Sequence, residues 1–160
     1  LLSALNDQTE TTLIFTGSNA DKFGNNLNVR IKKFVTNHNN SYFFESLGQK
    51  LFFSCAMISD AIIGNSSSGI IEIPSLNIPV VNIGMRQKGR VKSNCIIDVD
   101  FNKNNILKAI NKVYDKKFLK RIQNSKNPYE KQGTSDKIIK VLSEFKFHNI
   151  LNKSFYDIKK

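Results

Sequence analysis

The sequence predicts an α/β protein built on a mostly parallel β-sheet with helices on both faces. Short apolar runs of strand length recur along the 160 residues, amphipathic helical patterns separate them, and neither a repeat nor a long linker interrupts the alternation. Strands that alternate with helices form right-handed βαβ units, which place successive strands parallel and cover the sheet with helices. An apolar content of 40% in a chain of this length is sufficient for one real core.

The predicted strands are five short apolar runs bounded by Gly, Pro or polar residues. They cover residues 12–15, 42–44, 61–64, 79–84 and 96–99. Between the first two, Phe23, Leu27, Ile31 and Phe34 recur at helical spacing and line one face, with Asp21 placed to cap that helix. Further helices are predicted from Gly48, after Asn102, over 118–122 and from Ser135, with a short one that Pro74 limits.

The net charge of +11 is distributed unevenly. Residues 1–80 hold 5 Lys or Arg against 6 Asp or Glu, whereas residues 81–160 hold 19 against 7. Of the 24 cations, 20 are Lys and 4 are Arg, and they are not interleaved with aromatic residues. This pattern is typical of solvated helix faces and lacks the motifs of RNA-binding or zinc-finger modules, so we expect no nucleic-acid partner.

The cysteines indicate the cellular compartment, and the first residue of the chain bears on its domain organisation. Cys55 and Cys95 stand alone, without paired spacing or a nearby His cluster, which favours thiols in the reducing cytoplasm and predicts no metal site. No apolar run reaches membrane length and no leader pattern is present, so no membrane partner is expected. The chain begins at Leu1 rather than Met, and we expect a piece of a longer protein, with one domain over residues 1–147 and a polar tail over 148–160.

The segment from Gly64 to Glu72, with the sequence GNSSSGIIE, is the most informative stretch of the chain. An apolar strand runs into three hydroxyls and a glycine and then into a helix. At a helix N-terminus, free backbone N–H groups, the positive end of the helix dipole and the hydroxyls together suit an anion such as phosphate. The alternative is an ordinary Ser/Gly-rich turn with a Ser N-cap.

A basic loop follows the fourth predicted strand and places Arg86, Lys88 and Arg90 within five residues. Arg binds phosphate through two parallel hydrogen bonds and Lys acts as a point charge. Taken alone, this loop is more typical of a solvated basic turn. However, the carboxyl ends of parallel strands meet at one edge of a sheet, where ligands of such folds bind. The loop and the Ser/Gly turn are therefore predicted to face one diphosphate together.

Three further residues are candidate nucleotide contacts, each with a plainer alternative. Glu72 can accept hydrogen bonds from the vicinal hydroxyls of a ribose, or it is a surface acid that stabilises a helix dipole. Phe52 can lay its ring against a base, or it packs in the core. Asn19 follows the first strand and is either a ligand contact or a turn residue. No G-x-G-x-x-G, Walker A or G-x-S-x-G pattern is present, so neither an NAD site nor a serine nucleophile is indicated, and no cofactor is expected.

Four runs, taken in order, resemble the UDP-N-acetylglucosamine 2-epimerases, and most closely their hydrolysing branch in sialic-acid-type pathways. They are GSNAD at 17–21, GNSSSGIIEIPSLNIPVVNIG at 64–84, RQKGR at 86–90 and KNPY at 126–129. The resemblance covers the C-terminal half of that family's GT-B-type fold, in which two Rossmann-like domains clasp the substrate. It departs from the family pattern at Met85, where relatives more often carry Asp or Thr, and at Ile73, where Ala is common.

The resemblance implies a UDP site and assigns its residues. Ser66 and Ser67 would hold the diphosphate, Glu72 the ribose hydroxyls, and Arg86 would lie by the phosphates. Phe52 would lie near the base, and Asn19 falls on the family's nucleotide-proximal Asn.

The family reaction eliminates UDP across C1 and C2 of the sugar, and water then adds to yield the 2-epimer, here N-acetylmannosamine. The catalytic acid–base groups are expected in the N-terminal half of the family, so no catalytic residue is assigned in this chain and the chain alone is predicted to be inactive. UDP and UDP-N-acetylglucosamine are the expected partners, and the full-length enzyme is expected to be a homo-oligomer. The alternatives are a non-hydrolysing 2-epimerase, an epimerase of a GDP-linked or diacetamido sugar, a glycosyltransferase half, or a basic nucleic-acid-binding module.

Overall fold

The computed structural model describes residues 1–18 and 24–146. The predicted cap Asp21 and the site candidate Asn19 lie outside these residues, as does the predicted tail. The strands are β1 (Leu13–Thr16), β2 (Ser41–Phe44), β3 (Ile62–Gly64), β4 (Val80–Ile83) and β5 (Ile96–Val99). The helices are α1 (Leu2–Leu5), α2 (Gly24–Thr36), α3 (Gly48–Met57), α4 (Ser67–Ile71), α5 (Lys103–Val113), α6 (Lys116–Ile122) and α7 (Thr134–Glu144), with a 3-10 helix at Ile73–Leu76.

All strand pairs in the described residues are parallel, as predicted. β1 pairs with β2, and β3, β4 and β5 form a second sheet with β4 at its centre. The expected single sheet is thus divided in two. In the described residues, no backbone hydrogen bonds pair β1 with the three-residue strand β3. Side-chain packing joins them instead, since Leu13 of β1 and Ile63 of β3 belong to one apolar cluster.

Helices cover both faces of the β3–β4–β5 sheet, which confirms the predicted layering. β4 is buried along its whole length, and its side chains alternate between the two faces. Val81 and Ile83 pack in a cluster with residues of α1 and α5. Val80 packs on the opposite side with Ala56 of α3 and Ile73 of the 3-10 helix. The carboxyl ends of the three strands are therefore held at one edge by a core on each side.

Two glycines allow neighbouring elements to approach closely. A Cβ atom at Gly17, which follows β1, would lie 2.6 Å from the backbone carbonyl oxygen of Glu45. A Cβ atom at Gly69 in α4 would lie 3.1 Å from Cγ1 of Val80. Glycine at these positions lets the β1 loop reach the β2 loop and lets α4 pack closely on β4.

The helix boundaries agree with the sequence prediction at some ends and differ at others. The side chain of Asn102 caps α5 as predicted, accepting from the backbone N–H groups of Asn104 at 2.9 Å and Asn105 at 3.3 Å. α6 begins before the predicted residue 118, because Asp115 caps it by accepting from the N–H of Phe118 at 2.7 Å. α1 was not predicted, since a four-residue helix has too few apolar positions to display a period.

The chain divides into two compact units, Leu1–Tyr129 and Glu130–Lys160. The first contains both sheets, and the described part of the second contains α7. The domain boundary predicted at residue 147 stays a prediction. Within residues 1–18 and 24–146, no helix combines the length and the apolar character needed to cross a membrane.

Candidate functional site

The Ser/Gly turn connects β3 to α4 as the sequence predicts. Ser66 is the N-cap of α4, and its hydroxyl oxygen accepts a long hydrogen bond of 3.4 Å from the backbone N–H of Ser68. A hydroxyl that accepts at its oxygen still has its proton to donate. Ser66 and the next residue, Ser67, are both exposed, and the hydroxyl of Ser67 has no partner among the described residues. The turn therefore presents two hydroxyl donors to solvent.

The basic loop leaves β4 through Gly84, whose φ of +80° favours glycine at this bend. Arg86, Lys88 and Arg90 are exposed, and none of the three has an ion-pair partner within the described ranges. A fourth cation, Lys92, is engaged: its ammonium lies 2.8 Å from each carboxylate oxygen of Asp98. Three cations of the loop thus remain available to an anion.

Gln87 joins the basic loop to the Ser/Gly turn. Its side-chain Nε2 donates a 2.8 Å hydrogen bond to the backbone carbonyl oxygen of Asn65. The side chain is buried, whereas its neighbours Arg86 and Lys88 point to solvent. The predicted proximity of the two loops is therefore realised by a direct contact between the residue before Ser66 and the residue after Arg86.

Glu72 lies at the C-cap of α4, where the chain passes into the 3-10 helix. Its carboxylate is exposed and has no hydrogen-bond partner in the described part of the chain. Glu72 is at the same time the N-cap of the 3-10 helix, without a side-chain cap hydrogen bond, so it meets the negative end of one helix and the positive end of the next. The helix-dipole alternative and the ribose alternative therefore both stay open. Because α4 rises by ~1.5 Å per residue, Ser66 and Glu72 lie ~9 Å apart along its axis.

The KNPY run contacts the C-terminal end of the same helix. Nδ2 of Asn127 donates to the carbonyl oxygen of Ile71 at 2.8 Å and to the hydroxyl of Ser75 at 2.7 Å. Its Oδ1 accepts from the backbone N–H of Tyr129 at 3.0 Å. Asn127 therefore holds the backbone just before Glu72 and the side chain of Ser75 after it. No role was predicted for Asn127, because Ile71 and Ser75, to which its amide donates, are more than fifty positions away in the chain.

The ring of Phe52 is partly buried and packs against the apolar cluster that contains Ala56 and Ile73. It also meets the ring of Phe53 edge to face, with the centroids 5.4 Å apart. This is the packing that the core alternative predicts, and contact of Phe52 with a base stays a prediction. Asn19 lies outside the described residues. The preceding Ser18 is tied to α2, since its backbone N–H and hydroxyl both donate to Oδ1 of Asn28.

Comparison with known proteins places this arrangement in a family. The model of the UDP-N-acetylglucosamine 2-epimerase family matches residues 1–143. This chain belongs to that family. The polysialic acid biosynthesis protein P7 of Escherichia coli is 39% identical over 160 residues, which is 99% of this chain and 41% of that protein. The hydrolysing GDP/UDP-N,N'-diacetylbacillosamine 2-epimerase of Campylobacter jejuni is 38% identical, with the same coverage of each chain.

A solved structure agrees with the fold of this 2-epimerase family chain. The crystal structure of the UDP-GlcNAc 2-epimerase of Neisseria meningitidis, bound to UDP-GlcNAc, matches with a TM-score of 0.61 at 17% sequence identity. The match covers 84% of this chain and 44% of that one. It confirms the predicted partial GT-B-type fold. The chain spans about two-fifths of the length of the curated relatives that it matches.

Proposed function

We propose that this chain is the UDP-binding part of a hydrolysing nucleotide-sugar 2-epimerase. The observation that carries the proposal is the hydrogen bond from Gln87 to Asn65, which ties the basic loop, with its three exposed cations, to the residue before Ser66. Charge-assisted hydrogen bonds from Arg86, with donors from Ser66 and Ser67, would neutralise a diphosphate from two sides. Family membership supports this assignment.

The ribose would bind at the other end of α4. Glu72 is an exposed acceptor whose carboxylate has no hydrogen-bond partner within residues 1–18 and 24–146, and the ~9 Å of helix between it and Ser66 would separate the diphosphate from the ribose. The base would then extend toward Phe52 and the loop after β1 that contains Asn19.

In the family reaction, the bond between C1 of the sugar and the UDP oxygen breaks as a base removes the proton from C2. UDP leaves with the bonding electrons, and a double bond forms between C1 and C2. Addition of water then gives the free 2-epimer. In this scheme the Ser/Gly turn and Arg86 stabilise the charge that develops on the departing UDP. We assign the proton transfers at C2 to groups outside this chain, and none to its own residues.

The sugar is proposed to be N-acetylglucosamine, which gives N-acetylmannosamine. A diacetamido sugar is the second candidate, because two relatives are named as hydrolysing epimerases of N,N'-diacetylbacillosamine, one of them from Legionella pneumophila. The contacts proposed above concern the UDP moiety, which both candidates share.

Proton NMR of the 160-residue chain mixed with UDP-N-acetylglucosamine tests these assignments. We expect line broadening of the nucleotide signals, which reports binding, and no appearance of free UDP or N-acetylmannosamine. Release of UDP by the chain alone would contradict the claim that the proton-transfer groups lie elsewhere. The same spectra recorded with UDP-N,N'-diacetylbacillosamine compare the two sugars directly.

A further inference from the structure

The orientation of Gln87 differs from that of the rest of its loop. Its side chain is 3% exposed, whereas the flanking Arg86 and Lys88 are exposed. The buried Nε2 reaches 22 residues back along the chain to the carbonyl oxygen of Asn65 at 2.8 Å. Because a carbonyl oxygen only accepts, the nitrogen of the amide must face it. This fixes the orientation of the amide group.

The other end of the same amide is not satisfied. Oε1 of Gln87 is buried and has no hydrogen-bond partner among the described residues. A buried acceptor without a donor carries a desolvation cost, which an apolar side chain of similar length would not carry. Stability alone therefore does not favour a glutamine here. What the amide adds over an apolar side chain is the bridge to Asn65.

We propose that Gln87 is a positioning residue that sets the distance between the two phosphate-binding loops. The bridge joins the residue that precedes Ser66 to the residue that follows Arg86, so one hydrogen bond fixes the backbone next to both proposed phosphate contacts. Donors held in place before the ligand arrives lose less freedom on binding than donors on independent loops. This inference rests on the proposed function.

The variant Gln87→Met separates positioning from stability. Methionine has nearly the same length and removes the unsatisfied acceptor, and because Asn65 is an exposed residue, water can take the place of the lost amide at its carbonyl oxygen. We expect Tm to be unchanged or higher. The Kd for UDP should rise about tenfold, the effect of weakening one charge-assisted contact. The Kd for uridine, which has no phosphate, should not change.

The variant Gln87→Glu supplies a pH readout that a purely space-filling role would not produce. As a carboxylate, its oxygen faces the carbonyl oxygen of Asn65, and two acceptors repel. Once protonated, the carboxyl group donates and restores the bridge. The affinity of this variant for UDP, divided by that of the wild type at the same pH, should therefore recover as the pH is lowered.

Asn40→Ala is the matched control. Nδ2 of Asn40 donates to the carbonyl oxygens of Gln8 at 2.8 Å and Thr11 at 2.6 Å, and Asn40 precedes β2, in the sheet that does not contain the strand leading to the Ser/Gly turn. We expect a lower Tm and an unchanged ratio of UDP to uridine affinity. If Gln87→Met keeps the wild-type ratio while the wild type binds UDP, the positioning role is overturned and the proposed function stands. If the wild type binds no UDP, both are overturned.

Discussion

The side chain of Asn127 links Ile71, the residue before Glu72, to Ser75 after it. Its Nδ2 donates to the carbonyl oxygen of Ile71 and to the hydroxyl of Ser75. The bridge spans the break between α4 and the 3-10 helix, where Pro74 prevents one continuous helix. Without an external donor, the Ile71 carbonyl at this break would be left without its partner. Asn127 therefore stabilises the bend that presents Glu72.

Asn127→Ala tests this bridge. It removes three side-chain hydrogen bonds at a residue that is 9% exposed, and we expect the free energy of unfolding in urea to fall by about 1–3 kcal/mol. UDP affinity should fall with it, because Glu72 is no longer held in place. Asn105→Ala is the control, since the side-chain amide of Asn105 donates to the carboxylate of the exposed Asp100. A loss of stability no larger than that of the control would contradict the account of the bend.

Glu72→Gln tests the ribose contact. If the carboxylate accepts from the ribose hydroxyls, the wild type should bind 2'-deoxy-UDP about tenfold more weakly than UDP, the effect of one lost hydrogen bond to a charged group. In the variant this difference should shrink, because a neutral amide is a weaker acceptor. Calorimetric titration with both nucleotides measures it. Glu10→Gln, at another exposed acid, should leave the difference intact. If the wild type and Glu72→Gln prefer UDP over 2'-deoxy-UDP by the same factor, Glu72 does not contact the ribose.

Phe52→Leu distinguishes a base contact from core packing. Replacing a partly buried aromatic ring should cost about 1–2 kcal/mol of unfolding free energy in either case. If the ring also touches uracil, the affinity for UDP should fall while the affinity for inorganic pyrophosphate is unchanged. The neighbouring Phe53→Leu serves as control for indirect effects of packing. A parallel loss of UDP and pyrophosphate affinity would leave Phe52 with the core role alone.

Gly17→Ala tests the close approach of the β1 and β2 loops. The new methyl group would lie 2.6 Å from the backbone oxygen of Glu45, which cannot move without disturbing β2. We expect a loss of about 1–3 kcal/mol of unfolding free energy. Gly69→Ala should cost less, because its neighbour is a methyl group of the Val80 side chain at 3.1 Å. Chemical denaturation of both variants gives the comparison, and the reverse order would contradict it.

The sequence predicts local structure well where one period or one cap decides it. The alternation of strands and helices, the cap at Asn102 and the limit set by Pro74 all follow from short-range chemistry, and the structure confirms them. The four-residue α1 was missed because it is too short to display a period. The division of the sheet was missed because pairing between strands is not encoded in either strand alone.

The sequence predicts the exposed residues of the candidate site, but not the residues that hold them in place. Ser66, Glu72 and Arg86 stand out in the sequence because their chemistry suits a nucleotide at the edge of a parallel sheet. Gln87 and Asn127 act through bonds to residues 22 and 56 positions away. Such contacts exist only once the fold is formed. The signal for Gln87 was an uncharged polar residue between two cations, which carries little information alone.

The central claim is that UDP binds between the Ser/Gly turn and the basic loop. Calorimetric titration of the 160-residue chain with UDP, repeated with Arg86→Ala and with Arg30→Ala on α2 as control, tests it most directly. We predict saturable binding that weakens about tenfold or more in Arg86→Ala, the loss of a charge-assisted phosphate contact. The control should match the wild type. No binding, or binding that Arg86→Ala leaves intact, would contradict the account.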